Sequence, residues 1–220
     1  MTVEVPEGYK GIVFGCPLPY EFYRTTGTGQ SPHQIHAGSY HDAMRAAGVE
    51  LGNLIPYTSI LPRIAKEIPL EEGISRVEHG AEMKVIQAAA HVDKEKGEKR
   101  ATAAILYGWL HPRKRGAQHV GGLVCEYNGP GTIREARDNL TKCLDDLYQK
   151  PNRAGFAFSE RYDLRKAPIL AATIEPKERF GTALAALAFV SYFMPVLGQN
   201  ITPPEDAFAL AQGMFSEKGL

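Results

Sequence analysis

The hydroxyl pair Thr58-Ser59 is the part of this chain best suited to chemistry on its own backbone. A serine hydroxyl can attack the carbonyl of the preceding residue, so that an ester replaces the peptide bond in an N-to-O acyl shift. The charge that develops on the carbonyl oxygen needs a hydrogen-bond donor, and the side-chain amide of Asn53 is a suitable one. Thr-Ser pairs are also common in loops and helix caps, so the pair alone leaves a structural interpretation open. Apolar residues flank it on both sides: Leu54, Ile55, Ile60, Leu61 and Pro62.

Glu126 is a second candidate, because its carboxyl lies in an otherwise apolar segment between Cys125 and Tyr127. Burial disfavours the charged form and raises the pKa of a carboxyl group, so this one could carry a proton near neutral pH. Such a group can act as a general acid. The residues alone, however, favour the alternative interpretation, an outward-facing glutamate at the end of a strand.

Two apolar segments must position these residues. Residues 54–61 are β-branched and apolar enough to predict a strand that is interrupted at Thr58-Ser59, and residues 122–127 predict a buried strand that ends at Asn128-Gly129. Further strands are predicted at residues 11–16, 83–90, 101–110 and 169–174.

Two segments have helical periodicity. Residues 133–149 carry an apolar stripe, and Thr132 with Glu135 forms a capping-box pattern before it. A shorter helix is predicted from an N-cap at Ser39 to a stop at Gly48.

Three further segments are less regular. The glycine- and hydroxyl-rich residues 25–31 predict a loop. Residues 182–193 fit either a helix or a central strand, because they are rich in alanine and leucine but also in small residues. The tail is expected to hold a short helix from Pro204.

Composition indicates one compact domain of mixed strands and helices. The 220 residues are 44% hydrophobic and 23% charged, and equal numbers of Lys+Arg and Asp+Glu, 25 each, give no net charge. We therefore expect no nucleic-acid partner, and we interpret the basic run at residues 111–115 as a solvated loop.

The chain is expected to be soluble and cytoplasmic, with no membrane partner. Cys16, Cys125 and Cys143 lack the spacing of a disulfide framework and are typical of free thiols in a reducing compartment. The first residues lack the apolar core of a secretory signal, and the apolar residues 184–197 are shorter than a membrane span of about 20 residues.

Four blocks of the sequence, in this order, resemble the pyruvoyl-dependent arginine decarboxylases. The resemblance extends over roughly residues 11–193. The blocks are GTGQSPHQIHAGSYHDAMRAAGV (27–49), GVELGNLIPYTSILP (48–62), GLVCEYNG (122–129) and AATIEPKERFGTALAALAF (171–189).

The resemblance implies a self-processing enzyme. The chain would break between Thr58 and Ser59, giving a small fragment, 1–58, and a large one, 59–220. Elimination of the ester and hydrolysis of the resulting dehydroalanine would turn Ser59 into a pyruvoyl cofactor, with Asn53 as a catalytic residue. L-Arginine would then form a Schiff base on this group and leave as agmatine and CO2, with Glu126 protonating the carbanion.

The resemblance also bears on the fold and on the substrate site. It implies an α/β fold (an α+β layered sandwich) as a single domain, 1–220, with active sites at the subunit interfaces of a homotrimer. An acidic residue on the short helix would meet the guanidinium of the substrate. Ungapped alignment puts His41 there, with Asp42 beside it, and Glu50 and Gly52 complete the expected substrate site.

Other functions remain open at this point. The enzyme could decarboxylate a different amino acid, because a histidine is a poor partner for a guanidinium. An unprocessed protein could instead bind a small molecule on the same scaffold. A metal-dependent hydrolase using His33, His36 and His41 is a third hypothesis, but the spacing of these histidines lacks an HExxH pattern, and we expect no metal.

Overall fold

The computed structural model describes residues 12–114 and 116–199. Contacts divide the chain into a main unit, residues 18–192, and a smaller unit to which residues 12–17 and 193–199 belong. The single domain expected for residues 1–220 stays a prediction. In the smaller unit, the strands β1 and β14 form an antiparallel ribbon; their bounds are Ile12–Phe14 and Val196–Gln199.

The elements are numbered in chain order. The remaining strands are β2 (Leu18–Pro19), β3 (Glu21–Ser31), β4 (Asn53–Pro56), β5 (Ile60–Leu61), β6 (Lys66–Glu67), β7 (Glu82–Asp93), β8 (Ala101–Pro112), β9 (Gly122–Gly129), β10 (Tyr162–Lys166), β11 (Leu170–Ile174), β12 (Phe180–Phe189) and β13 (Tyr192–Phe193). The α-helices are α1 (His41–Ala47), α2 (Leu70–Ile74), α3 (Ile133–Gln149) and α4 (Phe158–Arg161). A π-helical turn (Ile35–Tyr40) and a 3₁₀ turn (Lys94–Lys96) are also present.

The main unit contains two five-stranded sheets. The first has the order β4-β7-β12-β3-β6, and the second has the order β10-β8-β9-β5, with β11 also paired to β8. The long ladders are antiparallel, whereas β4 joins β7 and β6 joins β3 in parallel. The mixed α/β class expected from the sequence is confirmed.

A shared core holds the two sheets face to face. Ile86 and Leu187 of the first sheet and Ile105 and Val124 of the second are all fully buried in it. The opposite face of the first sheet is covered by α1, and the opposite face of the second is covered by α3. The arrangement is therefore a four-layer sandwich of helix, sheet, sheet and helix.

The prediction of a loop at residues 25–31 is wrong, because these residues belong to β3 and pair with β12. Their glycines serve close packing rather than a turn. A Cβ atom on Gly27 would lie 2.0 Å from the Ala43 carbonyl oxygen, and one on Gly29 would lie 2.2 Å from that of Ser39. Glycine is thus needed here so that α1 can approach the sheet.

The helix predictions hold, apart from one cap. Helix α3 covers the predicted residues, and the capping box of Thr132 and Glu135 is formed. Helix α1 ends before Gly48, whose φ of 68° is left-handed, as predicted. Ser39 is not its N-cap: Tyr40 holds that position, and the buried Ser39 hydroxyl instead hydrogen-bonds to Thr182 at 2.9 Å.

Of the ambiguous residues 182–193, those up to Phe189 form most of β12, a central strand whose residues are all buried, and the last two form β13. The predicted strands 11–16, 83–90, 101–110, 122–127 and 169–174 are confirmed within the described residues. The basic run begins as the end of β8 and continues into the exposed Arg113 and Lys114. Arg115 and the predicted tail helix lie outside the described residues.

Within residues 12–114 and 116–199, none of the helices combines the length and the apolar composition that crossing a membrane would require.

Candidate functional site

The Thr58-Ser59 pair lies where the chain passes from one sheet to the other. Strand β4 ends at Pro56 in the first sheet, and β5 begins at Ile60 in the second. The predicted interruption of the strand is therefore a change of sheet. The Tyr57 amide donates to Val85 at 2.7 Å and the Ser59 carbonyl accepts from Val124 at 3.0 Å, so both sides of the pair are anchored.

The carbonyl of Thr58 has a donor of its own. The Ile60 amide donates to this oxygen at 2.9 Å, which closes a three-residue turn centred on Ser59. This hydrogen bond polarises the carbonyl that a Ser59 hydroxyl would attack.

Ser59 and Glu126 are in direct contact, although 67 residues separate them in the sequence. The Ser59 hydroxyl donates to the Glu126 carboxyl group, at 2.9 Å from Oε1 and 3.0 Å from Oε2. Pairing of β5 with β9 brings them together, since Ile60 lies opposite Leu123. The structure thus brings together the two residues that the sequence analysis had put forward as candidates.

Burial controls the protonation of Glu126. Desolvation of the half-buried carboxyl raises its pKa, and the hydrogen bond from Ser59 opposes this shift in part. Cys125, the preceding residue, faces α3 in the second sheet's outer core, and burial raises the pKa of its thiol to about 12. The serine is therefore the more plausible nucleophile here, because a protonated thiol is a weak one.

A surface cleft of about 350 Å³ opens beside Ser59 and Glu126. Strand β9 forms one wall of this cleft, which we call the Ser59 cleft, and one face of α3 forms the other. The α3 residues repeat at intervals of three and four positions, as one helical face requires. They are Cys143, Asp146 and Leu147, and Lys150 follows directly after the helix ends; the β9 residues are Val124, Cys125 and Glu126.

The structure does not bring Asn53 into contact with the pair. Its side-chain amide donates to the Gly80 carbonyl at 2.7 Å, on an exposed part of the first sheet. In the described part of the chain, the donor on the Thr58 carbonyl is the Ile60 amide instead. A catalytic role for Asn53 stays a prediction.

The residues expected to bind substrate lie elsewhere in this chain. His41 is exposed at the start of α1. The Asp42 carboxylate pairs with Arg45 at 2.9 Å, and both line another cavity of about 350 Å³ together with Gly29 and Ile174.

Glu50 and Gly52 lie in the turn between α1 and β4. Burial, with a smaller effect from the Glu50 charge, raises the pKa of the Tyr23 hydroxyl. The Gly52 amide donates to the Val49 carbonyl at 3.2 Å. The residues that line the Ser59 cleft do not include these two, His41 or Asp42.

The α3 wall of the cleft was missed by sequence reasoning. Its three helical residues border the buried stripe of Ala136, Leu140 and Leu144, so their shared face could be read from helical periodicity. Nothing in the sequence of α3 itself indicates that this face lies beside Ser59.

Histidines do not form a metal site in the part of the chain that the structure describes. No group of three or more His, Cys, Asp or Glu side chains there could hold a metal ion. The rings of His36 and Tyr40 lie edge to face instead, with their centroids 6.0 Å apart.

Comparisons with known proteins agree with the resemblance in the four blocks. A sequence model of the family described as pyruvoyl-dependent arginine decarboxylase matches residues 21–193. The pyruvoyl-dependent arginine decarboxylase AaxB of Chlamydia pneumoniae is 25% identical over 199 residues, which are 82% of this chain and 95% of that protein. The protein of the same name from Chlamydia abortus is 24% identical over 197 residues, with 81% and 94% covered. Pyruvoyl-dependent arginine decarboxylase 2 of Methanosarcina mazei is 38% identical over 64 residues, with 29% and 34% covered.

Proposed function

The chain belongs to the pyruvoyl-dependent arginine decarboxylase family, and we propose that it cleaves itself before Ser59 and converts L-arginine to agmatine and CO2. The observation that carries this proposal is the contact of the Ser59 hydroxyl with both oxygens of Glu126, at the edge of an open cleft. Ser59 then provides the nucleophile of self-cleavage, and Glu126 accepts and donates the protons.

The contacts of the pair support a route for self-cleavage. Glu126 accepts the proton of the Ser59 hydroxyl, and the oxygen forms a bond to the carbonyl carbon of Thr58. The Ile60 amide stabilises the charge on the Thr58 oxygen, a role that preorganised donors fill in acyl transfer. The bond from this carbon to the Ser59 nitrogen then breaks, and the nitrogen takes up the proton. Elimination of the ester and hydrolysis complete the conversion of residue 59.

The surroundings of residue 59 fit a pyruvoyl group. Position 59 borders the cleft, its backbone carbonyl is held by Val124, and a carboxyl group lies at hydrogen-bond distance from its side chain. A pyruvoyl group supplies a carbonyl that withdraws electrons from the carbon that loses CO2.

Glu126 has a second task during turnover. Its raised pKa favours the protonated form, which can donate to the substrate carbon once CO2 has left. The apolar side chain of Leu147 borders the same cleft.

Further features of the proposal concern assembly and compartment. We assign the protein to the cytoplasm, which the free thiols of Cys125 and Cys143 support. We also propose a homotrimer with interfacial active sites. The side chain of Ile60 supports this, because it is 59% exposed directly beside the cleavage site and a neighbouring subunit would cover it.

Mass spectrometry of freshly purified protein tests the proposal, together with release of CO2 from a panel of amino acids. We expect fragments 1–58 and 59–220, with a blocked, carbonyl-bearing residue at position 59, and CO2 from L-arginine. Ser59→Ala should remain one chain without activity, since no hydroxyl is left to form the ester.

Two other outcomes would contradict the proposal. An intact chain without activity would favour the small-molecule binding protein. A cleaved chain that releases CO2 from another amino acid, and not from arginine, would retain the pyruvoyl chemistry and reject the substrate.

A further inference from the structure

A buried threonine lies on the central strand of the first sheet. Thr182 is the one residue of β12 with a polar side chain, and it is fully buried. Its neighbours across the sheet are Gly29 of β3 on one side and His91 of β7 on the other. A hydroxyl group buried among alanines and leucines needs a hydrogen-bond partner.

Thr182 has two such partners. Its Oγ1 atom lies 2.9 Å from the hydroxyl oxygen of Ser39 and 2.9 Å from Nδ1 of His91. A hydroxyl group can donate one hydrogen bond and accept another, so both contacts can form together. The three side chains, which we call the Ser39 network, therefore connect two strands of the sheet to the turn that precedes α1.

Two glycines allow this turn to approach the sheet. A Cβ atom on Gly29 would lie 2.2 Å from the Ser39 carbonyl oxygen, so only a glycine beside Thr182 leaves room for Ser39. The turn itself is interrupted at Gly38, whose φ of −125° and ψ of −106° are not helical. Because the helix is not continuous across Gly38, the start of α1 depends on how Ser39 is held.

A second contact joins the same residues. The Tyr40 ring, which follows Ser39 in the chain, lies edge to face with the His91 ring, with the centroids 5.7 Å apart. His91 therefore supports both Ser39, through Thr182, and Tyr40 directly. A hydrogen bond depends on direction as well as on distance, so this support fixes the turn more closely than apolar contacts would.

The start of α1 is where the substrate site is expected. His41 and Asp42 are the first two residues of this helix, and an acidic residue there would meet the guanidinium group. Asp42 lines its cavity together with Gly29, the neighbour of Thr182 across the sheet. A binding group that is misplaced by about 1 Å loses much of its contact with the ligand.

We propose that Ser39, Thr182 and His91 are positioning residues, which hold the start of α1 where its first side chains bind the far end of the substrate. This inference rests on the proposed decarboxylation of arginine and on the expected role of α1. Ser39 and Thr182 act from beneath the helix, because both are fully buried and out of reach of a ligand.

Thr182→Val tests the inference in the cleaved, full-length protein, because it removes the hydroxyl group and keeps the branched shape. We expect the KM for L-arginine and the inhibition constant of agmatine to rise about 3- to 10-fold, as the loss of a hydrogen bond predicts. The kcat and the extent of self-cleavage should change little. Tyr57, beside the cleavage pair, contacts Phe189 at the opposite end of β12.

Two further variants test the network itself. Thr182→Ser restores a hydroxyl group and should return the KM to near its wild-type value. His91→Phe keeps a ring against Tyr40 but removes Nδ1, so the KM should rise as in Thr182→Val. Combining His91→Phe with Thr182→Val should raise the KM no further, because both changes break the same network. His91 is exposed, so its variant gives the test should Thr182→Val fail to fold.

Thr25→Val is the matched control. The buried Thr25 hydroxyl donates to the Ala47 carbonyl at 2.7 Å, at the other end of α1. Its loss should destabilise the fold about as much as Thr182→Val does, and denaturant unfolding in a Ser59→Ala background compares the two. The KM should stay unchanged in Thr25→Val, because the start of α1 is still held.

The outcomes are distinguishable. An unchanged KM in Thr182→Val or His91→Phe, an equal rise in Thr25→Val, or no recovery in Thr182→Ser would overturn the positioning role while arginine decarboxylation stands. A wild-type protein that is not cleaved, or does not act on arginine, would overturn both this inference and the proposed function.

Discussion

At the scale of single residues, the proposed chemistry depends on the contact between two side chains. Ser59 donates to Glu126 in the uncleaved chain, and burial raises the pKa of that carboxyl group. A carboxyl that first accepts a proton and later donates one must have a pKa close to the working pH, which burial helps to provide.

Turnover should depend on pH through Glu126. The protonated form is the donor, so kcat should fall as the pH rises through the pKa of this group, which lies above the ordinary value for a glutamate. The kcat of the cleaved enzyme on L-arginine, measured across pH, checks this expectation. A kcat that instead falls as the pH is lowered toward the ordinary pKa of a glutamate would assign the base form to catalysis.

Glu126→Gln is the control for this pH dependence. The amide cannot deliver a proton, so kcat per cleaved chain should fall about 100- to 10,000-fold. The fall of kcat with rising pH should also disappear. Cleavage before Ser59 should also slow, because the acceptor of the serine proton is lost. Turnover close to that of the wild type would remove Glu126 from the mechanism.

At the scale of the elements, the position of α1 depends on a glycine-lined strand. Gly27 and Gly29 face this helix at distances that exclude a Cβ atom. The same glycines suggested a loop in the sequence, because composition alone does not distinguish flexibility from close packing.

Gly27→Ala should destabilise the fold by about 1–3 kcal/mol, the usual cost of forcing an extra carbon into a packed contact. Thr28→Ala is the matched control, since the neighbouring Thr28 is exposed and should be nearly neutral. Denaturant unfolding in a Ser59→Ala background, which keeps the chain intact, measures both free energies. Equal stability of the two variants would contradict the packing role of Gly27.

At the scale of the whole molecule, the proposed self-cleavage would cut one of the connections between the two sheets, the one from β4 to β5. The first fragment would keep β3 and β4, which are paired in the first sheet with β12 and β7 of the second fragment. Ten residue pairs join β3 to β12 alone, and the core between the sheets contains Phe22 of the first fragment.

The two fragments should therefore remain associated after cleavage. Native mass spectrometry should find 1–58 and 59–220 in one particle, and denaturing electrophoresis should separate them. The uncleaved Ser59→Ala protein gives the reference for the native mass. A small fragment that dissociates under native conditions would contradict the role of β3 in the fold.

From the sequence by itself, the resemblance in four blocks singled out Thr58-Ser59 and Glu126, and helical periodicity with a capping box predicted the whole of α3, because periodicity and caps are local properties. Only the tertiary structure decided that Ser59 and Glu126 touch, since this depends on the pairing of β5 with β9, which are far apart in the chain. It also decided that Asp146 lines the Ser59 cleft while Asp42 lines a different cavity. The physical reason is that the periodicity of a segment predicts on which face of a helix or strand each residue lies. The neighbours of that face depend instead on which sheet edges and helices pack together.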